Sequence, residues 1–165
     1  MKEKSMYFAK NEIYEKIREA GGIWNDSKIR PIVCLIESTE CPGLYWAIPV
    51  GMYNHRDRQA LDRIEAFLNC DENDLRSCYY HIGNTTTKSI FFISDVIPIT
   101  KKYISRDYLG YDKKPFTIKN KKLLSQLNRK LNRILSFENS RNNYFRQHIT
   151  SIKNLLIEEL NSESA

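Results

Sequence analysis

Two of the three histidines in this chain stand beside short polar runs, and both runs border stretches that read as strands. His81 precedes Gly83-Asn84-Thr85-Thr86-Thr87-Lys88, and His55 lies in Gly51-Met52-Tyr53-Asn54-His55-Arg56. Imidazole titrates near neutrality, so each is a candidate acid/base group. Cleavage of RNA without a metal needs such a group near the ribose 2′-hydroxyl. It also needs cations or N–H donors on the phosphate and an acid for the leaving oxygen. In that chemistry His81 is the first choice for acid/base, with His55 in reserve. Arg30 and Lys88 would hold the phosphate, the first as a planar fork and the second as a point charge. Thr87 and Asn84 would orient it, with Thr85 and Thr86 as further hydroxyls, and Tyr53 offers a ring for a base to stack on. Each residue also has a plainer reading. The 83–88 run is a polar β-turn, His81 a polar neighbour at a strand end, and His55 the start of a helix. Arg30 is then a strand flank and Tyr53 a core aromatic, while His148 falls on an apolar helix face and reads as core. No spacing here is specific alone; what weighs is that Arg30 and both loops border strands of one expected sheet.

Other chemistries find little support. There is no GxGxxG or Walker loop, no HExxH and no GxSxG. The four cysteines, Cys34, Cys41, Cys70 and Cys78, form no CxxC pair and have no histidine at metal-site spacing. We therefore expect no metal and no cofactor. The N-terminal stretch lacks an apolar signal core, and no apolar run approaches the roughly 18 residues that span a bilayer. The expectation is a cytoplasmic protein with free thiols and no membrane partner.

Charge is unevenly placed. The formal net charge is +6, yet residues 101–133 hold eleven Lys/Arg against two Asp, a local +9 that leaves the remainder near −3. Clustered cations mark a surface for polyanions, although a merely solvated face has the same composition. The candidate RNA-backbone contacts are Lys101, Lys102, Arg106, Lys113, Lys114, Lys119, Lys121, Lys122, Arg129, Lys130 and Arg133, joined by Tyr53 and Arg56.

These residues need a frame. At 165 residues, with 41% hydrophobic and 12% aromatic content, residues 1–165 read as one domain with a substantial core. Strands are expected at 6–8, 30–37, 44–50 and 78–82, with a long apolar strand over 89–99; 23–29 reads as a loop. Helices are expected at 11–20, 57–68, 119–135 and 141–160, with the last five residues frayed. In the third helix Lys121, Lys122, Arg129, Lys130 and Arg133 fall opposite the leucine stripe. Tyr144, Phe145 and His148 face the core in the fourth. Strands clustered apart from helices give an α+β class, with a small curled antiparallel sheet or barrel, an inserted helix and two C-terminal helices.

The order of elements resembles a known family. A short strand and helix precede RPIVCLIE (30–37) and LYWAIPV (44–50), then come an intervening helix, FFISDVIPIT (91–100) and a basic helical C-terminus. This layout is similar to that of the ToxN/AbiQ/CptN/TenpN endoribonuclease toxins of type III toxin–antitoxin systems, over about residues 6–160. The resemblance implies a fold like the MazF/Kid toxins and metal-independent cleavage of RNA to a 2′,3′-cyclic phosphate. It also implies neutralisation by a repeat-encoded RNA pseudoknot in closed toxin–RNA assemblies, acting in phage defence or plasmid maintenance. One departure is clear. Where the family has a hydroxyl pair and a lysine after the LYWAIPV strand, this chain has Gly51-Met52-Tyr53-Asn54-His55-Arg56. Those roles do not transfer: either the site has shifted, with Thr85–Lys88 and His81 supplying them, or the chain is a divergent or inactive relative that still binds RNA, and Arg30 is the more transferable position. The competing readings are a non-catalytic RNA-binding module on the 101–133 face and a protein-interaction domain whose charge only solubilises it.

Overall fold

Seven strands and four α-helices form among residues 1–25 and 29–164, which are the residues that the computed structural model describes. In chain order they are β1 (Ser5–Ala9), α1 (Asn11–Glu19), β2 (Ile32–Glu37), β3 (Leu44–Met52) and α2 (Arg58–Leu68). Then follow β4 (Tyr80–Asn84), β5 (Lys88–Phe92), β6 (Ile97–Thr100), β7 (Ile104–Asp107), α3 (Lys121–Ser140) and α4 (Ile149–Ser164). Within the expected 23–29 loop, residues 26–28 lie outside the described residues.

The sheet is antiparallel throughout, in the order β4-β5-β3-β2-β1-β7, with β6 also on β3. β3 is its hub. One edge pairs with β2; the other pairs with β6 through Leu44–Ala47 and with β5 through Val50–Met52. The apolar run expected as one strand over 89–99 is therefore two strands, split by a 3-10 turn at Ile93–Asp95. A single strand could not serve both halves of β3, and the turn carries the chain from one half to the other.

The α+β class, the inserted α2 and the two C-terminal helices match the sequence reading. The barrel does not: the sheet is open, ending at β4 and β7. Its ends are joined by side chains, through a 2.6 Å hydrogen bond between Thr86 Oγ1 and the Tyr108 hydroxyl. β7 is only four residues long, and after it residues 109–115 loop away before 116–118 returns beside β1 through Met6 N–H to the Phe116 carbonyl.

Two apolar clusters flank the sheet. The larger packs α1, α3 and α4 against β1, β2, β3 and β6, around Ile48, Phe91, Ile97, Leu127 and Leu131. The smaller packs Leu61 and Ile64 of α2 on Ile90 and Phe92 of β5. α2 starts where Asp57 accepts the Ala60 N–H, an N-cap that satisfies one of the first-turn donors.

The C-terminal helices differ from expectation in two ways. Residues 141–148 are not helical; Asn143 and His148 hold positive φ there, and Tyr144 is exposed rather than core. His148 reaches the Ala20 carbonyl through Nδ1 at 3.2 Å, and α4 continues to Ser164 where fraying was expected. Buried Glu138 organises this turn: one carboxylate oxygen accepts from Asn143 N–H, Thr150 N–H and the Thr150 hydroxyl. Replacing it by Ala strands these donors, so Glu138→Ala should destabilise the chain by about 2 kcal/mol. Urea unfolding checks this, and a loss below about 0.5 kcal/mol would show that the turn finds other partners.

Candidate functional site

The near-closure of the sheet leaves a cleft of about 290 Å³ between its two ends. Arg30 and Pro31, just before β2, form one wall. Val50, Gly51, Met52, His55 and Arg56 at the end of β3 form the floor, and Thr85, Thr87, Ser89 and Tyr108 form the opposite wall. Phe92 supports the two cations: the Arg30 guanidinium carbon lies 4.8 Å from its ring centroid and that of Arg56 lies 5.0 Å. The negative face of an aromatic ring attracts both. Phe92 is itself fixed from behind by α2.

Gly51 is what lets Arg56 approach. A Cβ there would collide with the Arg56 guanidinium and sit 2.9 Å from the Phe92 ring. Gly51 thus has a role of its own, as open space for a cation. Neither arginine joins an ion pair among the described residues, and Arg56 Nε is buried without a hydrogen-bond acceptor. Burial lowers the pKa of each, and the Arg56 charge lowers that of Arg30 further. Asp95 acts in the opposite sense on Arg30 and Asp57 on Arg56, neither through an ion pair. Arginine stays protonated regardless, so the cleft holds two positive charges that are only partly compensated.

The hydroxyls opposite are ordered by one another. Ser89 Oγ donates to the Thr87 carbonyl at 2.9 Å, so the 2.8 Å contact between Thr85 and Ser89 has Thr85 as donor. Both of those protons are engaged, whereas the Thr87 hydroxyl makes no such bond among the described residues.

Comparison with protein-family models gives no match for this chain, and comparison with curated proteins gives none either.

Of the six candidate catalytic residues, Arg30, His55 and Thr87 meet in this cleft. The other three lie elsewhere. Lys88 does not line the cleft; its Nζ lies 3.8 Å from the Tyr53 ring centroid. His81 and Asn84 line a separate depression of about 400 Å³ with Asn120, Lys122, Leu123 and Gln126 of the α3 end. There His81 Nδ1 is buried without a partner, and burial, then Lys130 and Arg129, push its pKa down to about 4.

The RNA-backbone candidates also divide. Lys130, placed by the sequence reading on the charged side of α3, is 6% exposed and donates to the Tyr80 carbonyl at 2.8 Å. The 3.6-residue period sets it with Leu123, Leu127 and Ile134, not opposite them. Burial, then Arg129, pull its pKa down to about 8. Arg133 clamps the Glu72 and Asn73 carbonyls, and Lys102 lies 3.7 Å from Glu159 and 3.9 Å from Glu163. Tyr53 is engaged by Lys88 and Arg129 by Gln126, while Arg106 lies over the Phe8 ring. Lys101, Lys113, Lys114, Lys119, Lys121 and Lys122 are exposed and in no ion pair among the described residues.

The sequence reading passed over Ser89 and Tyr108. Ser89 is tied to that turn by its bond to the Thr87 carbonyl, which no local sequence pattern signals. Tyr108 came into reach only through the curl of the sheet.

Two predictions arise from these geometries. Gly51→Ala should displace the Arg56 guanidinium and weaken binding of inorganic phosphate or RNA to the cleft about tenfold; titration calorimetry of the folded variant decides it, and unchanged affinity would refute the role of that glycine. His81 refuses the proton that the unfolded chain accepts below its ordinary pKa of 6.5. Its share of stability is present above pH 6.5 and is lost as pH falls toward 4. His81→Gln should remove that part of the slope in unfolding free energy between pH 6.5 and 4.5, and an unaltered slope would show that the imidazole is protonated in the folded chain.

Proposed function

We propose that this chain is a metal-independent endoribonuclease whose scissile phosphate lies on Arg30 and Arg56. The observation that carries the reading is a pair of cations in no ion pair among the described residues, supported by Phe92 and lining one cleft of nucleotide size together with hydroxyls. Clefts of about 300 Å³ and upward are the usual seats of small ligands. Two planar guanidinium groups match a phosphate that gains charge as the 2′-hydroxyl attacks.

In this mechanism His55, the one imidazole among the described cleft residues, takes the 2′-hydroxyl proton. The oxygen attacks the adjacent phosphorus, and Arg30 and Arg56 stabilise the crowded dianion. The Thr87 hydroxyl donates to a non-bridging oxygen. Tyr108, hydrogen-bonded to Thr86, protonates the departing 5′-oxygen. The products are a 2′,3′-cyclic phosphate and a free 5′-hydroxyl. No cluster of three or more His, Cys, Asp or Glu side chains suited to a metal occurs among the described residues.

On the resemblance in element order, we read this activity as that of a type III toxin acting in the cytoplasm, with a repeat-encoded RNA pseudoknot as inhibitor and phage defence or plasmid maintenance as the setting. Exposed Lys113, Lys114, Lys119, Lys121 and Lys122 supply a surface for such an RNA, whose affinity should fall steeply with salt. No helix among the described residues is long and apolar enough to cross a membrane.

A second reading, a module that binds RNA without cutting it, is favoured by one observation. The cleft offers a single imidazole and no carboxylate among its described lining residues.

One experiment separates the two. On inducible expression in a bacterial host, wild type should arrest growth and leave new RNA 5′ ends bearing hydroxyls. Arg56→Gln should reduce cleavage about a hundredfold, and His55→Ala at least as much. Retained RNA with no new ends in wild type would select the binding module. Full cleavage in both variants would remove the cleft from the mechanism.

A further inference from the structure

The cleft does not end at Arg30. Ile29 and Arg30 also line a second depression of about 350 Å³, whose other walls are Phe8, Lys10, Glu12, Tyr14 and Arg106. Arg30 is thus the partition between two adjoining cavities. The second one carries three cations, Lys10, Arg30 and Arg106, against the one carboxylate of Glu12. Lys10 and Arg106 take part in no ion pair among the described residues. Its flat element is already assembled. β1 and β7 pair Phe8 with Arg106, and the Arg106 guanidinium carbon lies 4.1 Å from the Phe8 ring centroid. Arg106 is exposed, so its guanidinium can be approached from solvent.

We infer that this depression is a second subsite, holding the nucleotide next to the scissile phosphate in a single-stranded RNA. The base stacks on the outer face of Arg106, continuing the Phe8–Arg106 stack, and Lys10 and Arg30 take the neighbouring phosphate. Unpaired bases are commonly held on aromatic rings and guanidinium planes, since every base has a π-face. Arg30 then contacts phosphates on both sides and sets the register of the strand across the two cavities. A duplex would not fit this placement, because its bases are stacked on each other.

This inference rests on the reading of the Arg30–Arg56 cleft as the phosphate site. Two probes separate them: a nucleoside 3′-monophosphate, which fills one cavity, and a 2′-O-methyl hexanucleotide of mixed sequence, which spans both and cannot be cleaved. Arg56→Gln should weaken both about tenfold. Arg106→Gln and Lys10→Gln should weaken the hexanucleotide about tenfold, leave the monophosphate unchanged, and each reduce the salt slope of hexanucleotide binding by about 1. Lys10 is an exposed side chain, so its variant keeps the test sound even if Arg106→Gln is unstable. Hexanucleotide affinity unchanged in both variants, with Arg56→Gln still weakened, would overturn the second subsite alone. No hexanucleotide binding by wild type, or none lost in Arg56→Gln, would overturn the cleft and the subsite with it.

Discussion

The sheet depends on β3 serving three neighbours, and Pro49 shows how the backbone permits it. Val50 N–H donates to the Pro31 carbonyl on the β2 side. Alternation then turns the nitrogen of Pro49 toward the other edge. At that point β6 has ended at its partner Ala47 and β5 has not begun until Val50. A residue with an N–H there would bury a donor opposite the 3-10 turn, whereas proline has none to satisfy. Proline is normally confined to sheet edges, and here a gap inside the sheet plays that part.

From that gap the geometry of the cleft unfolds. The upper half of β3 leans away with β5 and β4, and the lower half stays with β6. A second irregularity, the register shift between Cys34 and Ile36 in β2, bends the sheet from its other side. The β4–β5 turn is thereby carried round toward the residue following β7, near enough for Thr86 to reach Tyr108 but without backbone pairing. The cleft is the space that an unfinished barrel leaves. Chain segments distant in sequence, 30–31, 50–56, 85–89 and 108, contribute to it because each sits at a strand end along that seam.

Much of the fold was legible because apolar periodicity reports burial directly. RPIVCLIE and LYWAIPV show continuous apolar character, and the α2 and α3 stripes repeat at helical spacing. The run over 89–99 misled for the same reason: two buried strands and the buried turn between them are all apolar. The 141–148 segment misled because its aromatic residues mimic a helical face, while Asn143 and His148 bend the backbone. In the site, Arg30, His55 and Thr87 were legible as polar residues at strand ends. Their separation from His81, Asn84 and Lys88 was not, because proximity along the 81–88 loop says nothing of which helix packs over each residue. Lys88 opens β5, paired with Asn84, and reaches the Tyr53 ring. For His81, the deciding fact is α3 packed on the same side of β4, with Gly83 passing close beneath Leu123. Such long-range packing leaves no mark in local sequence.

The electrostatics of the arginine pair set it apart from the other cations in the chain. Lys130 is buried but neutralised in part by the Tyr80 carbonyl, Arg146 lies 3.2 Å from Asp95, and Arg133 is spent on two carbonyls. Arg30 and Arg56 share the Phe92 ring and are in no ion pair among the described residues, with Asp95 and Asp57 acting on them only from further off. Partial burial strengthens their mutual repulsion and removes water that would screen it. A fold carries such a pair at a cost in stability, and an anion seated between them removes the cost. Under the proposed function, that cost is what a bound phosphate would remove. Asp or Glu at position 85, 87 or 89 would relieve the repulsion from within the chain. Those positions instead carry hydroxyls, which add donors for an anion and no negative charge of their own.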